Sequence, residues 1–278
     1  FSIIDILNDS AHIQFVTKNG YIIPYVYENI TYILGVIGTG SEHNVRIGNN
    51  TTIPGNGLAF PTLQYSSTIS LPETCQINIA GNSETYSVTK IGTHAFSYTN
   101  ILGVTIHENI THIGSSAFYN ASLETLLFEE DTQSELLEIG TKAFMQALQG
   151  TSLIEINIPD NVESIKNNAF RRCFSIKQVT LSSNTIIGAN AFSTLAPNLR
   201  VLVTHSPLLH VFNTWRTINE IKFSAKDGSN VRFVPYNAGV TSSICFPAGT
   251  PVVTDQETVD IEKICTERHT IGENRIVA

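Results

Sequence analysis

Cysteine and histidine are the residue types in this chain that could support nucleophilic, redox or metal chemistry. The four cysteines have neither the paired spacing of a metal site nor the density of a disulfide-stapled domain; they are Cys75, Cys173, Cys245 and Cys265. The eight histidines are scattered. Those in and near the central part of the chain do not form a chelating pair on one predicted face: His94, His107, His112, His205 and His210. We therefore predict no metal and no cofactor.

Composition and charge exclude further classes of function. The chain is 42% apolar and 14% charged, which is typical of a folded protein rather than a disordered one. Its net charge is −8, with 16 basic against 24 acidic residues and no basic run, so we predict no nucleic-acid partner. No apolar stretch approaches the ~18 residues of a membrane span. Because the sequence begins at Phe1 rather than Met, its targeting is not readable. The sequence also gives no oligomeric state.

A six-residue phrase occurs five times and organises the chain. It reads IGTHAF at Ile91, IGSSAF at Ile113, IGTKAF at Ile139, IKNNAF at Ile165 and IGANAF at Ile187. Successive starts are separated by 22, 26, 26 and 22 residues. This spacing lies within the period of roughly 20 to 29 residues at which one leucine-rich repeat forms one coil. The sequence therefore predicts a repeat solenoid.

Each repeat has two parts with different patterns. The Ile, Ala and Phe of the phrase are spaced to reach one interior side of a short helix or turn, so we predict that they are core residues. The following segment has apolar residues at i, i+3 and i+5, which predicts strands that stack into a parallel sheet. The inward triads are Ile101/Val104/Ile106, Leu123/Leu126/Phe128, Leu153/Ile156/Ile158, Ile176/Val179/Leu181 and, with a polar last member, Leu199/Leu202/Thr204. A sixth segment, Ile218/Ile221/Phe223, keeps the strand pattern without the phrase and predicts the terminal repeat.

The flanking segments predict β-rich caps. Asn19-Gly20 between two β-rich runs predicts a hairpin, and Gly81-Asn82-Ser83 separates two further predicted strands, 76–79 and 85–89. A terminal hairpin covers the apolar end of the first coil. The predicted organisation is a β-rich region at 1–69, the solenoid with its entry hairpin and capping repeat at 70–223, a cap and linker at 224–244, and a distinct segment at 245–278.

The phrase Ile-Gly-x-x-Ala-Phe followed by an apolar strand resembles the BspA-like class of leucine-rich repeats. The third repeat has the Pro of that class at Pro159, the segment 86–92 resembles its lead-in strand, and the fourth repeat follows it through Ala169, Phe170, Cys173, Ile176, Val179 and Leu181. The resemblance covers 65–223. It implies a core position for Cys173 and a surface or secreted protein of a cell or virion, with roles in adhesion and protein binding and no shared catalytic site.

The segment that begins at Cys245 resembles the opening block of a Hint module, the self-processing fold of inteins and hedgehog C-terminal domains. It departs from the family at Glu257, where a Gly is usual, and matches it at Cys245, Phe246, Gly249, Thr250, Val252, Thr254, Asp255, Ile261 and Ile264. The resemblance implies an N-to-S acyl shift, in which the Cys245 thiolate attacks the carbonyl of Ile244. Only the first part of such a module is present, and Thr266-Glu267-Arg268-His269 follows Cys245 too closely to supply the family's histidine. We therefore expect no autocatalysis by these 278 residues.

The solvent side of the predicted sheet is the best candidate for a binding surface. Its first column is Gly103, Thr125, Glu155, Gln178 and Val201, and its second is Thr105, Leu127, Asn157, Thr180 and Val203. Repeat solenoids bind other proteins on such extended surfaces. Because the columns lack Trp, Tyr and Arg, a merely solvated face is an equally good interpretation.

Two functions from different classes follow from these observations. The first is a non-enzymatic protein-binding, structural or adhesion protein displayed on a cell surface or virion. The second is a precursor that a longer parent processes at Cys245, with a buried structural role as the alternative for that thiol. A third possibility is that 245–278 serves as a β-rich cap or docking piece.

Overall fold

Strands dominate the fold, and the chain divides into two compact units, Phe1–Tyr236 and Asn237–Ala278. The structure is a computed structural model. It describes residues 15–17, 20–28, 30–37, 43–48, 68–79, 82–129, 134–150, 154–205, 209–235, 251–253, 258–260, 270–271 and 274–275.

A ten-stranded sheet begins with antiparallel strands at the N-terminal end of the first unit. Strands β1 (Phe15–Thr17), β2 (Gly20–Tyr27), β3 (Ile30–Ile37) and β4 (Asn44–Ile47) pair in sequence order. The later hairpin consists of β6 (Thr74–Ile79) and β7 (Asn82–Ile91). Both predicted hairpins are confirmed, although Asn82 and Ser83 belong to the strand rather than to the turn.

The same sheet continues through the repeats as a parallel ladder. After β7 come four short strands, β9 (His112–Ile113), β11 (Glu138–Ile139), β13 (Ser164–Ile165) and β15 (Ile186–Ile187). The Ile that opens each phrase is the last residue of its strand, because the chain turns immediately afterwards.

The first five predicted i, i+3, i+5 segments each contribute a strand to further parallel sheets, together with strands that this pattern did not predict. One has three strands, β5 (Thr68–Ile69), β8 (Gly103–Ile106) and β10 (Thr125–Phe128). Another has four, β12 (Ile154–Asn157), β14 (Ile176–Ser182), β17 (Arg200–Thr204) and β19 (Arg232–Pro235). A third consists of β16 (Phe192–Leu195) and β18 (Phe223–Ala225).

The phrase itself folds as consecutive turns and not as a helix. In every copy the residue before Ala has a positive φ, from 53° at Ser116 to 59° at Asn168. The residue two positions after Phe is also left-handed, for example Tyr98 at 59°. Such residues are uncommon outside glycine, and they prevent a right-handed helix. Backbone bonds to the next repeat hold them in place, as where the N–H of Phe96 donates to the carbonyl of Ala117 at 2.6 Å. We call these segments the turn ladder.

The core confirms the predicted role of the phrase. Its five phenylalanines and Phe223 form a stacked column with ring centroids 4.8–5.2 Å apart and planes within 8° of parallel: Phe96, Phe118, Phe144, Phe170, Phe192 and Phe223. The spacing equals the distance of about 4.8 Å between neighbouring parallel strands. All five alanines of the phrase are fully buried. Full burial of each Phe contributes roughly 1.5–3 kcal/mol.

The prediction of a strand at Ile218/Ile221/Phe223 was wrong. A helix, α1 (Leu209–Asn219), and a short 3-10 turn (Glu220–Lys222) occupy this segment, and only Phe223 enters a strand. Ile218 and Ile221 are 59% and 81% exposed. The buried residues Phe212, Trp215 and Asn219 follow helical spacing and pack one face of α1 onto the end of the repeats.

The second unit contains two antiparallel strand pairs. Strand β20 (Pro251–Val253) pairs with β21 (Thr258–Asp260), and β22 (Thr270–Ile271) pairs with β23 (Asn274–Arg275). The proposed nucleophile Cys245, its neighbour Ile244, Cys265 and the Thr266–His269 motif lie outside the described residues.

Candidate functional site

The register of the parallel strands sets out two rows of side chains within each of two sheets, the three-stranded and the four-stranded one. We call the side of these two sheets that carries the rows the outer face. The first row is Thr68, Gly103, Thr125, Glu155, Gln178, Arg200 and Arg232. The second is Thr105, Leu127, Asn157, Thr180, Leu202 and Val234. The residues between the rows are in the core, because side chains alternate along a strand.

The structure places six of the eight predicted binding residues on this face with accessible side chains. Thr125, Glu155 and Asn157 are exposed, whereas Thr105, Gln178 and Thr180 are half-buried. Leu127, from the predicted second column, is 60% exposed. Their side chains are therefore available to a ligand, and their role in binding stays a prediction.

The placement of Val201 on this face was wrong. Val201 is fully buried, as is Val203. They pair in register with Val179 and Leu181, which are core residues of the neighbouring strand β14. The sequence pattern took Leu202 as the inward residue, and Leu202 is also buried, at 7% exposure, although it alternates with Val201 and Val203 along the strand. A shift of one residue moves every side chain of a strand to the other face. The residue that stands in the row beside Gln178 is Arg200.

Gly103 also contributes no accessible surface. It is buried, and a Cβ built on it would lie 2.8 Å from Oγ1 of Thr68 and closer still to Oγ1 of Thr125. The flanking threonines on β5 and β10 therefore close over this position, so that the first row is interrupted at β8.

A polar cluster occupies the middle of the first row. The Gln178 amide donates to a carboxylate oxygen of Glu155 at 3.0 Å, and the Lys177 ammonium lies 3.6 Å from the other oxygen. Lys177 is the extra residue of a bulge in β14, opposite the junction of Ile154 and Glu155. Exposed ion pairs of this kind contribute less than about 1 kcal/mol to stability.

Sequence reasoning missed Arg200 and Arg232. Both are exposed and stand next to each other on the parallel strands β17 and β19. Arg200 was missed because the predicted register placed Val201 on the outer face. The alternation Arg200-Val201-Leu202-Val203 was equally compatible with Arg200 in that position. Arg232 falls in the segment 224–244, which was predicted as a cap and linker, and its pairing with β17 is a long-range contact that no local pattern specifies.

Two of the cysteines are buried thiols without a nucleophilic environment. The Cys173 thiol is 2.9 Å from the carbonyl oxygen of Phe144, and burial raises the pKa of Cys173 to about 12. Burial also raises the pKa of Cys75 to about 11. Because the thiolate is the reactive form, both thiols are inert in the native state. The core position predicted for Cys173 is confirmed.

The histidines of the repeat region serve packing and local contacts. His107 is 4% exposed, and this burial lowers its pKa. The nearby charges of Glu73 and Glu129 act in the opposite direction and raise the pKa, but by less. Burial and the charge of Lys142 lower the pKa of His94. Within the described ranges, no three His, Cys, Asp or Glu side chains come together as a metal site. In the same part of the chain no helix has the length and hydropathy needed to cross a membrane.

Comparison with protein families identifies the repeats. A model described as "BspA type Leucine rich repeat region" matches residues 75–200 in six copies. Residues 75–200 are therefore similar to BspA-type leucine-rich repeats, and the parallel, strand-rich sheets of the chain fit a leucine-rich repeat fold. No curated protein matches the chain.

Solved structures of leucine-rich repeat proteins and of a bacterial antigen are similar to the chain. The pneumococcal vaccine antigen PcpA is 22% identical over 70% of this chain and 45% of its own, with a TM-score of 0.47. A leucine-rich repeat protein from Bacteroides ovatus is 17% identical over 65% and 49%, with a TM-score of 0.42. One from Bacteroides capillosus is 22% identical over 54% and 93%, with a TM-score of 0.39. The match thus spans less than half of the PcpA chain.

Proposed function

We propose that the repeat region is a non-enzymatic module that binds another protein or has a structural role, and that its ligand surface is the outer face of a solenoid. The observation that carries this proposal is the pair of side-chain rows, which the strand pairing aligns within each parallel sheet. Exposed residues such as Thr125, Glu155 and Asn157 are not needed for the core beneath them. A rigid face with regularly spaced side chains suits an extended partner, because little conformational entropy is lost on binding.

Display outside a cell or on a virion is the setting that we propose for this module. Its support is the resemblance of the repeat phrase to a class of mostly surface and secreted proteins. A surface with stacked coils beneath it is also what an adhesion protein needs to present a ligand site.

Selection from a random peptide library displayed on phage tests the outer face. The full chain is the bait, and each selected peptide is then measured against Thr125→Arg, Asn157→Arg and the matched control Ser115→Arg. Ser115 is exposed on the turn ladder. Most peptides should lose affinity for the two outer-face variants and keep it for the control. Peptides that bind all three variants as tightly as the wild type would sink the proposal.

Processing at Cys245 is the second candidate. It is supported by the Cys245–Ile264 resemblance, and the antiparallel pair β20–β21 within that segment is compatible with a β-rich module. Incubation with dithiothreitol or hydroxylamine, followed by intact-mass measurement, tests it on this chain and on a longer parent. A fragment ending at Ile244 that Cys245→Ala abolishes supports processing. An unchanged mass of the longer parent argues against it.

A further inference from the structure

Positive charge is concentrated in one part of the sequence although the whole chain is acidic. Residues 154–235 contain nine Lys or Arg against five Asp or Glu, whereas residues 1–153 contain four against thirteen. The four-stranded sheet β12–β14–β17–β19 lies within the basic part. The rows on this sheet therefore contain charged side chains, whereas the rows on the three-stranded sheet contain none.

Arg200 and Arg232 focus this charge at one point of the outer face. They are Cα partners in parallel register, and the N–H of Arg232 donates to the carbonyl of Leu199 at 2.8 Å. Neighbouring strands are about 4.8 Å apart, so the two side chains leave the sheet side by side. Like charges at directly opposed positions destabilise a sheet. The pair thus costs stability unless an anion lies between the two guanidinium groups.

The acidic residues of this region do not provide that anion. Neither arginine forms an ion pair with a carboxylate in the described part of the chain. Glu163 precedes β13, in the other sheet. The remaining four acids contact other groups: Glu155 contacts Gln178 and Lys177, Asp160 contacts Thr204 and His205, Glu220 contacts Arg216, and Asp227 contacts the N–H of Ser229.

The surroundings of the pair favour a carboxylate on a polypeptide. Guanidinium groups bind carboxylates through two parallel hydrogen bonds. Next to the arginines, the second row holds the half-buried Val234, which an aliphatic side chain can contact, whereas Leu202 beside it is buried. A nucleic acid or a sulfated polysaccharide needs a longer basic track than two arginines and Lys177, and the carboxylate of Glu155 repels it in the same row.

We infer that Arg200 and Arg232 form a carboxylate-binding site that accepts an Asp- or Glu-rich segment of a protein partner on the outer face. This inference rests on the proposed function and specifies the chemistry of its ligand. The partner's acidic side chains neutralise the arginine pair, while an apolar side chain contacts the half-buried Val234. Binding therefore weakens as ionic strength rises, because the pair is exposed and screened by salt.

Binding of a fluorescent oligo-glutamate peptide to the full chain, followed by anisotropy at low and high salt, tests the inference. Arg200→Gln and Arg232→Gln should each weaken binding by up to about fivefold, since this is about the most that an exposed ion pair contributes. The double variant should bind more weakly than either single variant, but not by the simple product, because the two arginines are neighbours that share a ligand. Arg172→Gln is the matched control, because Arg172 is equally exposed but lies on the turn ladder. Its affinity should not change.

The alternatives give different results in the same experiment. Heparin or inorganic phosphate that displaces the arginine-dependent signal more strongly than oligo-glutamate would overturn the carboxylate assignment. A concentration-dependent dimer that the double variant abolishes, seen by sedimentation velocity, would replace the separate partner by a second copy of the chain. Equal affinities of wild type and double variant would refute the site altogether.

Failure of the inference is distinguishable from failure of the proposed function. If the phage-selected peptides respond to Thr125→Arg and Asn157→Arg but are neither acidic nor sensitive to the arginine variants, the outer face still binds protein and only the arginine site is wrong. If they respond to no outer-face variant, the proposed function itself fails.

Discussion

The register of strand β17 gives the sharpest prediction about the candidate surface. Val201→Thr keeps the shape of the side chain and replaces one methyl group by a hydroxyl. Because Val201 is fully buried between Val179 and Phe233 in register, the hydroxyl loses its contact with water. We expect the free energy of unfolding to fall by about 1–3 kcal/mol.

The neighbouring residue provides the matched control. Arg200→Gln changes an exposed side chain and removes one of two adjacent positive charges. We expect a change within about 0.5 kcal/mol, on the stabilising side because the like-charge repulsion is relieved. Guanidinium chloride unfolding followed by Trp215 fluorescence and circular dichroism measures both variants. Coincident transitions and equal m values establish that the two-state comparison is valid for a repeat protein. A neutral Val201→Thr with a destabilising Arg200→Gln would show that the register is displaced by one residue.

Three further predictions concern the core and its buried titratable groups. Phe144→Ala removes a ring stacked at 5.0 Å on both Phe118 and Phe170, so thermal and chemical unfolding should show that the free energy of unfolding falls by about 3–5 kcal/mol. Tyr98 is 54% exposed, so the control Tyr98→Ala should lower it by less than about 1 kcal/mol. Equal losses in the two variants would contradict the stacked column. Burial lowers the pKa of His107, so its native state binds a proton less readily than its unfolded state. The stability that this burial affects should be retained above pH ~6.5 and lost as pH falls below it. In urea titrations at several pH values, His107→Gln should therefore make the free energy of unfolding depend less steeply on pH. An unaltered pH dependence would argue against the burial of His107. The raised pKa values of Cys75 and Cys173 predict that both escape iodoacetamide at pH ~8 in the native chain and react after denaturation, as peptide mass mapping will show; native modification of Cys173 would refute its core position.

The repeat phrase was predictable because its pattern and its packing follow the same period. Each coil must bury an Ile, an Ala and a Phe against its neighbours, and a side chain such as Phe144 is accordingly fully buried. The turn conformation was less accessible to prediction. The residues before Ala are His, Ser, Lys and Asn, and no common residue type signals that all are left-handed. Their conformation comes from hydrogen bonds to the next repeat rather than from local preference.

The missed features of the candidate site have a physical cause. At 199–203 the sequence is Leu-Arg-Val-Leu-Val, so apolar residues occupy both faces of the strand and the pattern does not fix the register. In α1, the buried residues Phe212, Trp215 and Asn219 recur with the period of a helix. The apolar residues Ile218, Ile221 and Phe223 nearby also fit the strand pattern, which led to the wrong prediction of a strand. The proximity of Arg200 and Arg232 depends on the pairing of β17 with β19 across 32 residues of chain.

Photo-crosslinking of a bound peptide tests the central claim most directly. Benzoylphenylalanine is introduced separately at Asn157 and Thr125 on the outer face and at Ser115 on the turn ladder, and each chain is irradiated with a peptide selected against the wild type. Mass spectrometry then identifies the adducts. We expect peptide adducts from Asn157 and Thr125 and none from Ser115. Adducts from Ser115 alone would contradict the claim that the outer face is the binding surface.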